Sequence, residues 1–523
     1  MKERRRKLVI GLVVAAVAVA ALPAIVQVGW LFRLFAGRVS FPLDLEWMEG
    51  GTLIHAQRIA AGQGIYVAPS LDFIPFLYTP LYPALLAALS FALPLGYVLG
   101  RVVSILAFAA ALGLLVFAAA GEARRPARRA LATAVGLGGA GAVAASFAFT
   151  GYFYDLVRAD SLLLALEGLV VWLAWRGRGW KSAALAGLFI ALAFFTKQTA
   201  TIVGIGIGVG LLVASPRRGI VYGLVAAAVL AAGIGLLVKT SGGWFWTYIF
   251  KLHQSHAFRG EAVRVVAWPF AQQFAWPMWV ALLAATAALA FARKLRRSDA
   301  VPWAAAVAGL VAALVGFGTQ WADSNAFVPA VYFPAFAAAA LVARLVDLAL
   351  AEKRWSAVAA AAVLLLGAQS LHTATPKVRR TLLPAFTGWP QLGAALPSLA
   401  SAVPSAADRA AAARLLDELR ALPEPLFIPF HPYYAVLVGK RPYVHRMGVR
   451  DVEAALGRPK GLDQALAEQS FAAIVLDWKS YPGEWPHLDR RYRLAREFVE
   501  GVDSVRTFAG AQTSPRQLLL PAP

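Results

Sequence analysis

Long apolar segments recur along the chain from Leu8 to about Leu371, and short polar stretches separate them. A helix needs roughly 20 apolar residues to cross the hydrocarbon core of a bilayer, which is about 30 Å thick. The pattern therefore predicts an α-helical polytopic membrane protein with about eleven transmembrane helices. The predicted spans lie near residues 8–28, 98–120, 130–149, 161–175, 182–196, 199–214, 219–239, 269–292, 301–318, 327–347 and 355–371.

Basic residues between the spans predict the orientation of the helices. Short cytoplasmic loops of membrane proteins are enriched in Lys and Arg. All the basic clusters fall on one side of the predicted topology: Lys2–Lys7, Arg124–Arg129, Arg176–Lys181, Arg217–Arg218, Arg293–Arg297 and Lys353–Arg354. We therefore expect a multi-pass membrane protein with a cytoplasmic N-terminus. The first span is expected to be an uncleaved anchor, and a removed signal peptide is the alternative.

The apolar segment Pro80–Pro94 does not fit this pattern, because counting it as a span would move the Arg124–Arg129 cluster to the outer side. We interpret it as a juxtamembrane or re-entrant helix on the outer face; a full span that breaks the charge rule stays open. The transmembrane domain is then predicted over residues 1–371, with outer loops at 29–79 and 240–268.

The residues after the last span, 372–523, are predicted to form a small periplasmic α/β domain. A Pro/Ala/Ser-rich linker is expected around residues 384–404, and residues 407–422 are expected to form a helix with Asp408 as its N-cap. Short apolar runs bounded by Pro and Gly indicate strands at 426–429, 435–438 and 472–476.

Composition narrows the class of protein further. Of 523 residues, 59% are hydrophobic and 15% charged, whereas soluble domains carry about 25% charged residues. An ordinary soluble enzyme and a disordered chain are therefore excluded. The net charge of +22 does not indicate nucleic-acid binding, because most of the basic clusters lie at span ends. The chain has no cysteine, which excludes disulfides and thiolate chemistry.

Acidic residues concentrate in the first outer loop, where Asp44, Glu46 and Glu49 lie within six positions. Charges near a bilayer are costly unless paired or hydrated, and perturbed carboxylates concentrate at functional sites. Such carboxylates can act as general bases or bind a divalent metal ion such as Mg²⁺ or Mn²⁺. Whether a metal is used stays open, and a solvated loop is the alternative interpretation of any single acid.

Two further constellations are predicted on the same side of the membrane. Asp155, Arg158 and Asp160 follow the third span, where Arg158 can either grip a phosphate or form a structural salt bridge. Lys197 lies between two short apolar segments, and interrupted segments of this kind indicate a site at membrane depth. His253 and His256, three residues apart in the second outer loop, are a weak metal signal, and an interfacial segment is the better interpretation.

The order of these segments resembles the GT-C membrane glycosyltransferases, which include protein mannosyltransferases and the lipid A aminoarabinose transferase. The resemblance covers roughly residues 1–370 and rests on Asp44–Gly50, Arg58, Gly62–Tyr66 and Tyr78–Pro83, together with the segments near Asp160 and Lys197. It implies transfer of a sugar from a polyprenyl-phosphate donor to a lipid, glycan or protein acceptor at the periplasmic face. By position Glu49 matches a glutamate of the family's acidic pair, while Met48 stands where an aspartate is frequent.

The resemblance and the residue pattern together give a set of expected roles. The expected catalytic acids are Glu49, Asp44, Glu46 and Asp160. The expected donor-phosphate ligands are Lys197, Arg158 and Arg58. Acceptor-binding or other roles are expected for Asp155, Tyr66, Tyr78, His253 and His256. A single base and an inverting displacement are expected, because no activated nucleophile is apparent.

Two other classes of protein stay open from the sequence. A polytopic transporter or lipid flippase would also have many spans, although it would usually show inverted repeats. A catalytically inactive membrane scaffold could assemble partners through the C-terminal segment. In that segment His431–Tyr434 is expected either to help bind the acceptor or to pack in the core.

Overall fold

The computed structural model describes residues 2–374, 402–477, 480 and 483–523. The predicted linker at 384–404 lies outside the described residues up to position 401. The long helices of the membrane region are α1 (Lys2–Arg38), α4 (Tyr97–Ala120), α5 (Pro126–Ala145), α6 (Asp160–Arg176), α7 (Gly179–Thr196), α8 (Ala200–Ala214), α9 (Pro216–Thr240), α13 (Trp276–Phe291), α14 (Ala300–Gly318), α15 (Val328–Ala351) and α16 (Ser356–Ala374). Each predicted span therefore coincides with one helix.

Shorter elements lie between these helices. They are α2 (Glu49–Ala60), α3 (Leu81–Leu89), α10 (Trp244–Trp246), α11 (Leu252–Gln254) and α12 (Gly260–Pro269), with π-helical turns at Thr247–Lys251 and Phe270–Ala275 and 3₁₀ turns at Arg297–Asp299, Ser324–Phe327 and Lys353–Trp355. Helix α3 occupies the segment Pro80–Pro94 and has nine residues. At 1.5 Å per residue it is about 13 Å long, too short to cross a bilayer core.

In the part of the chain that the structure describes, seven helices are long and apolar enough to cross a membrane: those within Ile10–Arg38, Tyr97–Ala120, Gly179–Thr196, Pro216–Thr240, Arg297–Gly318, Ser324–Ala351 and Lys353–Leu371. Helices α8 and α13 are shorter apolar helices. Helix α15 forms the centre of the bundle and is buried over most of its length. Helices on the outside expose large apolar side chains such as Leu22, Leu106 and Leu224, as lipid-facing surfaces do.

The first helix is longer than the sequence pattern predicts. Helix α1 continues through residues 29–38, which were expected to begin the first outer loop. Its last residue, Arg38, is fully buried and donates to Asp155 through Nε at 2.7 Å. The charged end of the helix is therefore tolerated because a buried carboxylate neutralises it.

An ion network lies at one end of the bundle and connects the end of α6, the turn before α14 and the interior of α15 to the residue after α4. Glu122, after α4, accepts from Arg176 at 2.7 Å and from Arg344 at 2.5 Å, and lies 3.3 Å from Arg296. Asp299, before α14, pairs with both terminal nitrogens of Arg344 at 2.6 and 2.8 Å. We call these five side chains the Glu122 network.

The C-terminal segment forms a small mixed domain. Its helices are α17 (Ala406–Ala421), α18 (Pro432–Leu437), α19 (Arg446–Leu456), α20 (Leu462–Ala467) and α21 (Leu488–Arg491), and its strands are β1 (Leu426–Phe427), β2 (Ala473–Asp477), β3 (Tyr492–Glu497) and β4 (Pro515–Pro521). The sheet order is β1-β2-β4-β3, with β1 parallel to β2 and the other pairs antiparallel.

Two expectations for this domain are wrong. Residues 435–438 were predicted as a strand, but Pro432 starts helix α18 there because proline is favoured in the first turn of a helix. Helix α17 is capped by Ser405, and Asp408 is the reciprocal partner in a capping box, not the N-cap itself.

The C-terminal domain lies directly against the first loop of the membrane region. The backbone N–H of Val444 donates to Leu71 O at 2.9 Å, and that of Leu71 donates to Lys460 O at 3.1 Å. Phe508 N–H donates to Leu45 O at 2.8 Å, one residue from the acidic cluster. The domain therefore helps to build the surroundings of the predicted site.

Candidate active site

A pocket lies at the end of the bundle opposite the Glu122 network. It is bordered by α2, by the loop that leads into α3, by the residues that begin α6 and by the break between α7 and α8. The lining residues are Thr52, His55, Phe76, Tyr78, Thr79, Tyr82, Pro83, Arg158, Ala159, Asp160 and Lys197. Four of them, Tyr78, Arg158, Asp160 and Lys197, were site candidates from the sequence, and the fold brings these four together.

Two cations approach one aromatic ring in this pocket. Arg158 donates through Nη2 to the Tyr78 hydroxyl at 3.0 Å, and its guanidinium carbon lies 5.2 Å from the ring centroid. The Lys197 ammonium lies 5.7 Å from the same centroid. Lys197 has an extended backbone after α7, so the interruption expected from the sequence is what directs it here. Two positive charges beside a phenol are suited to an anionic oxygen group.

Asp160 is the acid among the residues that line this pocket. It begins α6, and its Oδ1 accepts from Lys197 Nζ at 2.8 Å and from Asn325 Nδ2 at 3.0 Å. Its position at the first turn of the helix is favourable for a negative charge. A carboxylate held by an amide and a lysine can receive a proton when the lysine turns to another anion.

Glu46 lies beside the pocket, behind Arg158. Its Oε2 accepts from Arg158 Nη1 at 3.2 Å and from the Met48 N–H at 3.3 Å. Burial raises the pKa of Glu46, and Arg158 only partly opposes this, so that the pKa rises to about 8. Its proton occupancy therefore changes near neutral pH and alters the charge next to Arg158.

Glu49, one of the four expected catalytic acids, is fully engaged with the protein. Its carboxylate accepts from Arg101 Nε at 3.1 Å and from Arg101 Nη2 at 2.7 Å, and also from the N–H groups of Leu45 at 2.6 Å and Val157 at 2.8 Å. Both side chains of the ion pair are 0% exposed, and Glu49 does not border the pocket. This placement favours a structural part for Glu49, which ties α2 to α4.

Asp44 connects the acidic loop to the C-terminal domain. Its Oδ1 accepts from the Gly50 N–H at 2.9 Å and from the Tyr97 hydroxyl at 2.8 Å, while its Oδ2 lies 2.7 Å from Nδ1 of His431. Burial alone would lower the pKa of His431, but its contacts with Asp44 and Asp477 raise it to about 9. The pair therefore holds a proton at neutral pH and anchors the start of α2.

The other expected site residues lie around the pocket without lining it. Asp155 pairs with Arg38, and burial raises the pKa of Asp155 although Arg38 opposes the shift. Arg58 donates to Gly64 O at 3.1 Å and stacks on Phe73 at 4.2 Å, so it closes the end of α2 and does not join Lys197. Tyr66 donates to Tyr78 O at 2.8 Å and so supports the pocket wall from behind.

The two histidines of the second outer loop contact different partners. Nε2 of His253 lies 3.0 Å from Leu77 O and 2.5 Å from the Gln198 amide, and burial lowers the pKa of His253. His256 lies 3.5 Å from Asp451 in α19. These contacts fasten the second outer loop to the first loop and to the C-terminal domain.

The acids near the pocket do not fit a divalent metal ion. Within residues 2–374, 402–477, 480 and 483–523, no group of three or more His, Asp or Glu side chains could hold a metal. Asp44, Glu46, Glu49 and Asp160 each already have a cationic partner from the protein. Mg²⁺ and Mn²⁺ favour clustered oxygen ligands, and these carboxylates are dispersed among separate ion pairs.

Sequence reasoning missed several residues of this region. Thr52 and His55 border the pocket, and their spacing of three on a helix that follows the acidic cluster was the available signal. Arg101 was overlooked although it is a charge within a predicted apolar span, which indicates a buried partner. The pairing of Asp44 with His431 joins residues far apart in sequence, and no local pattern predicts it.

The fold is similar to that of solved membrane-protein structures. The crystal structure of ArnT from Cupriavidus metallidurans bound to undecaprenyl phosphate has a TM-score of 0.53 and 12% sequence identity, and the match covers 94% of this chain and 97% of that chain. The apo structure of the same protein has a TM-score of 0.52 and 13% identity over the same shares. No family model matches the sequence, and no curated protein sequence matches it.

These likenesses establish the architecture. The chain has a helical polytopic fold like that of ArnT, with apolar helices of membrane-spanning length, and carries a small C-terminal sheet domain. The expected fold class is therefore confirmed.

Proposed function

We propose that the protein transfers a sugar from a polyprenyl-phosphate donor to an acceptor at the membrane face that carries the pocket, which we take to be the periplasmic face of a bacterial inner membrane. The observation that carries the proposal is the convergence of Arg158, Lys197 and Asp160 on Tyr78 at the ends of transmembrane helices. The GT-C architecture supports it, as does the undecaprenyl phosphate bound to ArnT.

Each polar group of the pocket has a part in the proposed reaction. Arg158 and Lys197 bind the phosphate of the donor, whose lipid chain stays in the bilayer beside the apolar helices. The acceptor hydroxyl attacks the anomeric carbon, the bond from this carbon to the phosphate oxygen breaks, and the oxygen leaves with the electron pair as polyprenyl phosphate. The cations neutralise the charge that develops on the leaving group.

We propose Asp160 as the general base, because it is the acid that lines the pocket. When Lys197 binds the donor phosphate, its contact with Asp160 weakens and the carboxylate accepts the proton of the acceptor hydroxyl. Glu49 and Asp44 then act by holding α2 in place, and Glu46 acts through Arg158. One base and no protein nucleophile give inversion at the anomeric carbon.

The test uses purified protein in lipid nanodiscs and a panel of radiolabelled undecaprenyl-phosphate sugars, with and without chelator. We expect release of undecaprenyl phosphate and transfer of label with inverted configuration. Transfer with retained configuration would contradict the single-base displacement. Labelled lipid that crosses liposomes with an unchanged head group would indicate a flippase, and the absence of turnover with every donor and acceptor would favour a scaffold.

Replacement of Asp160 tests the proposed general base directly. Asp160→Asn is expected to lower turnover about 10²–10⁴-fold and to leave the affinity for undecaprenyl phosphate nearly unchanged, because both cations remain. The matched control is Asp72→Asn, an exposed acid between α2 and α3 that pairs with Arg441 in the C-terminal domain. If the two variants turn over at the same rate, Asp160 is not the base.

A further inference from the structure

One wall of the pocket is uncharged and has a fixed pattern of hydrogen-bonding groups. Thr52 and His55 are three residues apart on α2, so they face the same side of the helix. Both border the pocket, and both are more than nine-tenths buried. The charged residues Arg158, Asp160 and Lys197 come from other elements.

The hydroxyl of Thr52 is committed as a donor to the protein. It donates to Met48 O, one turn earlier, at 3.2 Å. A hydroxyl has one proton and two lone pairs. With the proton engaged, the oxygen of Thr52 is left as an acceptor.

His55 offers a hydrogen-bond donor, whereas Thr52 offers an acceptor. Its Nε2 accepts the backbone N–H of Phe76 at 3.3 Å, so in the neutral ring the proton lies on Nδ1. Burial lowers the pKa of His55 to about 3, and nearby Arg58 acts in the same direction. The imidazole is therefore neutral at physiological pH and can only donate to a ligand.

The surroundings hold this pair rigidly. The His55 ring contacts Phe73 edge-on at 5.3 Å and Phe76 at 4.9 Å between centroids. Gly51 brings α2 against Phe76 so closely that a Cβ at this position would lie 2.3 Å from the Phe76 ring. Since Phe76 also supplies the N–H that fixes the tautomer of His55, the positions of donor and acceptor are set before a ligand binds.

We propose that Thr52 and His55 determine the sugar specificity of the site, Thr52 by accepting from one sugar hydroxyl and His55 by donating to a sugar oxygen. This inference rests on the proposed function. The donor phosphate is attracted to the cations, so the neutral α2 wall is left for the uncharged part of the head group. A site that commits buried polar groups to a hydroxyl discriminates strongly against sugars that lack it.

The test compares binding of undecaprenyl phosphate with binding of undecaprenyl-phosphate glucose, galactose, mannose and arabinose. Thr52→Val and His55→Leu are expected to weaken the sugar-bearing ligand preferred by the wild type about tenfold and to change the affinity for undecaprenyl phosphate less than twofold. The differences in affinity among the four sugar-bearing ligands should become smaller in both variants. Thr52→Ser and His55→Asn, which keep the acceptor and the donor respectively, should restore most of the preference.

Two results would overturn the proposal. An equal loss of affinity for the sugar-free carrier and the sugar-bearing ligands would mean that the wall acts on the phosphate or on the fold. Unchanged differences in affinity among the four sugar-bearing ligands in both variants would mean that the wall does not contact the sugar. Because these are binding measurements, a wild type that discriminates among sugars but transfers none would contradict the proposed function and leave this inference standing.

Discussion

The two ends of the helical bundle both bury ion pairs, but they use them differently. Helix α4 joins the ends: Arg101 lies one turn after its start, and Glu122 follows its last residue. A helix of 24 residues is about 36 Å long. At one end Arg344 binds both Glu122 and Asp299, and none of these side chains lines the pocket. At the other end Arg158, Lys197 and Asp160 border it.

The difference separates ion pairs that stabilise the fold from ion pairs that are proposed to act on a ligand. Charges buried in a bilayer-spanning protein are costly and must be paired at either end. In the Glu122 network the pairing joins four parts of the chain: the residue after α4, the end of α6, the turn before α14 and the interior of α15. At the pocket, the pairs Glu49–Arg101 and Asp155–Arg38 play that structural role, and under the proposed function Lys197 and Arg158 exchange their protein partners for the donor phosphate.

The largest loss of stability is expected when the Glu122 network is disrupted. Arg344→Gln leaves the carboxylates of Glu122 and Asp299 buried beside fewer cations, and breaking a buried pair in this way costs about 3–5 kcal/mol. Thermal unfolding in detergent should show a large fall in Tm. The control is Arg354→Gln, whose exposed guanidinium pairs with Glu352. If the two variants have the same Tm, the Glu122 network is not structural.

A smaller loss of stability is expected when the ion pair between Asp44 and His431, which joins the two domains at the pocket end, is removed. The pKa of His431 rises from 6.5 to about 9. A histidine with a raised folded-state pKa contributes stability that is fully present below about pH 6.5 and is lost as the pH rises through about 9. The contribution is on the order of 2 kcal/mol, since each pKa unit corresponds to about 1.4 kcal/mol and Asp44 shares the proton.

The measurement compares the Tm of the wild type and His431→Asn between pH 6 and pH 10. The Tm difference should narrow as the pH rises. Burial lowers the pKa values of His55 and His445 to about 3, so both rings stay neutral in the folded protein between pH 6 and pH 10 and do not contribute to the change in the Tm difference. A difference that stays constant or widens would contradict protonation of His431.

The smallest loss of stability is expected from a partly exposed salt bridge at the same end of the bundle. Arg128 and Asp347 form a salt bridge of 3.0 Å near the Glu122 network, but their side chains are 24% and 33% exposed. Partly exposed pairs contribute about 0–1 kcal/mol. Arg128→Ala should therefore lower the Tm far less than Arg344→Gln. Equal losses would mean that burial does not separate these pairs.

The sequence predicts the helices better than the site. Hydrophobic runs alone place the second span at 98–120, within one residue of α4, because a bilayer imposes one length and one polarity on every crossing segment. The end of α1 was misplaced because residues 29–38 form a helix that leaves the apolar core, and local hydropathy does not record that Asp155 neutralises Arg38.

The sequence predicted part of the candidate site. Lys197, Arg158 and Asp160 were found because polar residues at span ends are few and conspicuous, and Tyr78 was found through the family resemblance. The choice among the acids could not be made from spacing, since it depends on which carboxylate Arg101 neutralises. By position Glu49 matched the family's acidic pair, and the sequence left open which carboxylate acts; the tertiary contacts bury Glu49 and leave Asp160 in the pocket.

The most direct test of the account measures the affinity for undecaprenyl phosphate when one cation is removed from either end. Lys197→Met removes a proposed phosphate ligand, and Arg296→Met removes a cation of the Glu122 network. The account predicts that Lys197→Met binds about 10- to 100-fold more weakly, as expected for a lost charged hydrogen bond, while Arg296→Met binds within twofold of the wild type. Wild-type affinity in Lys197→Met, or equal losses in both variants, would contradict it.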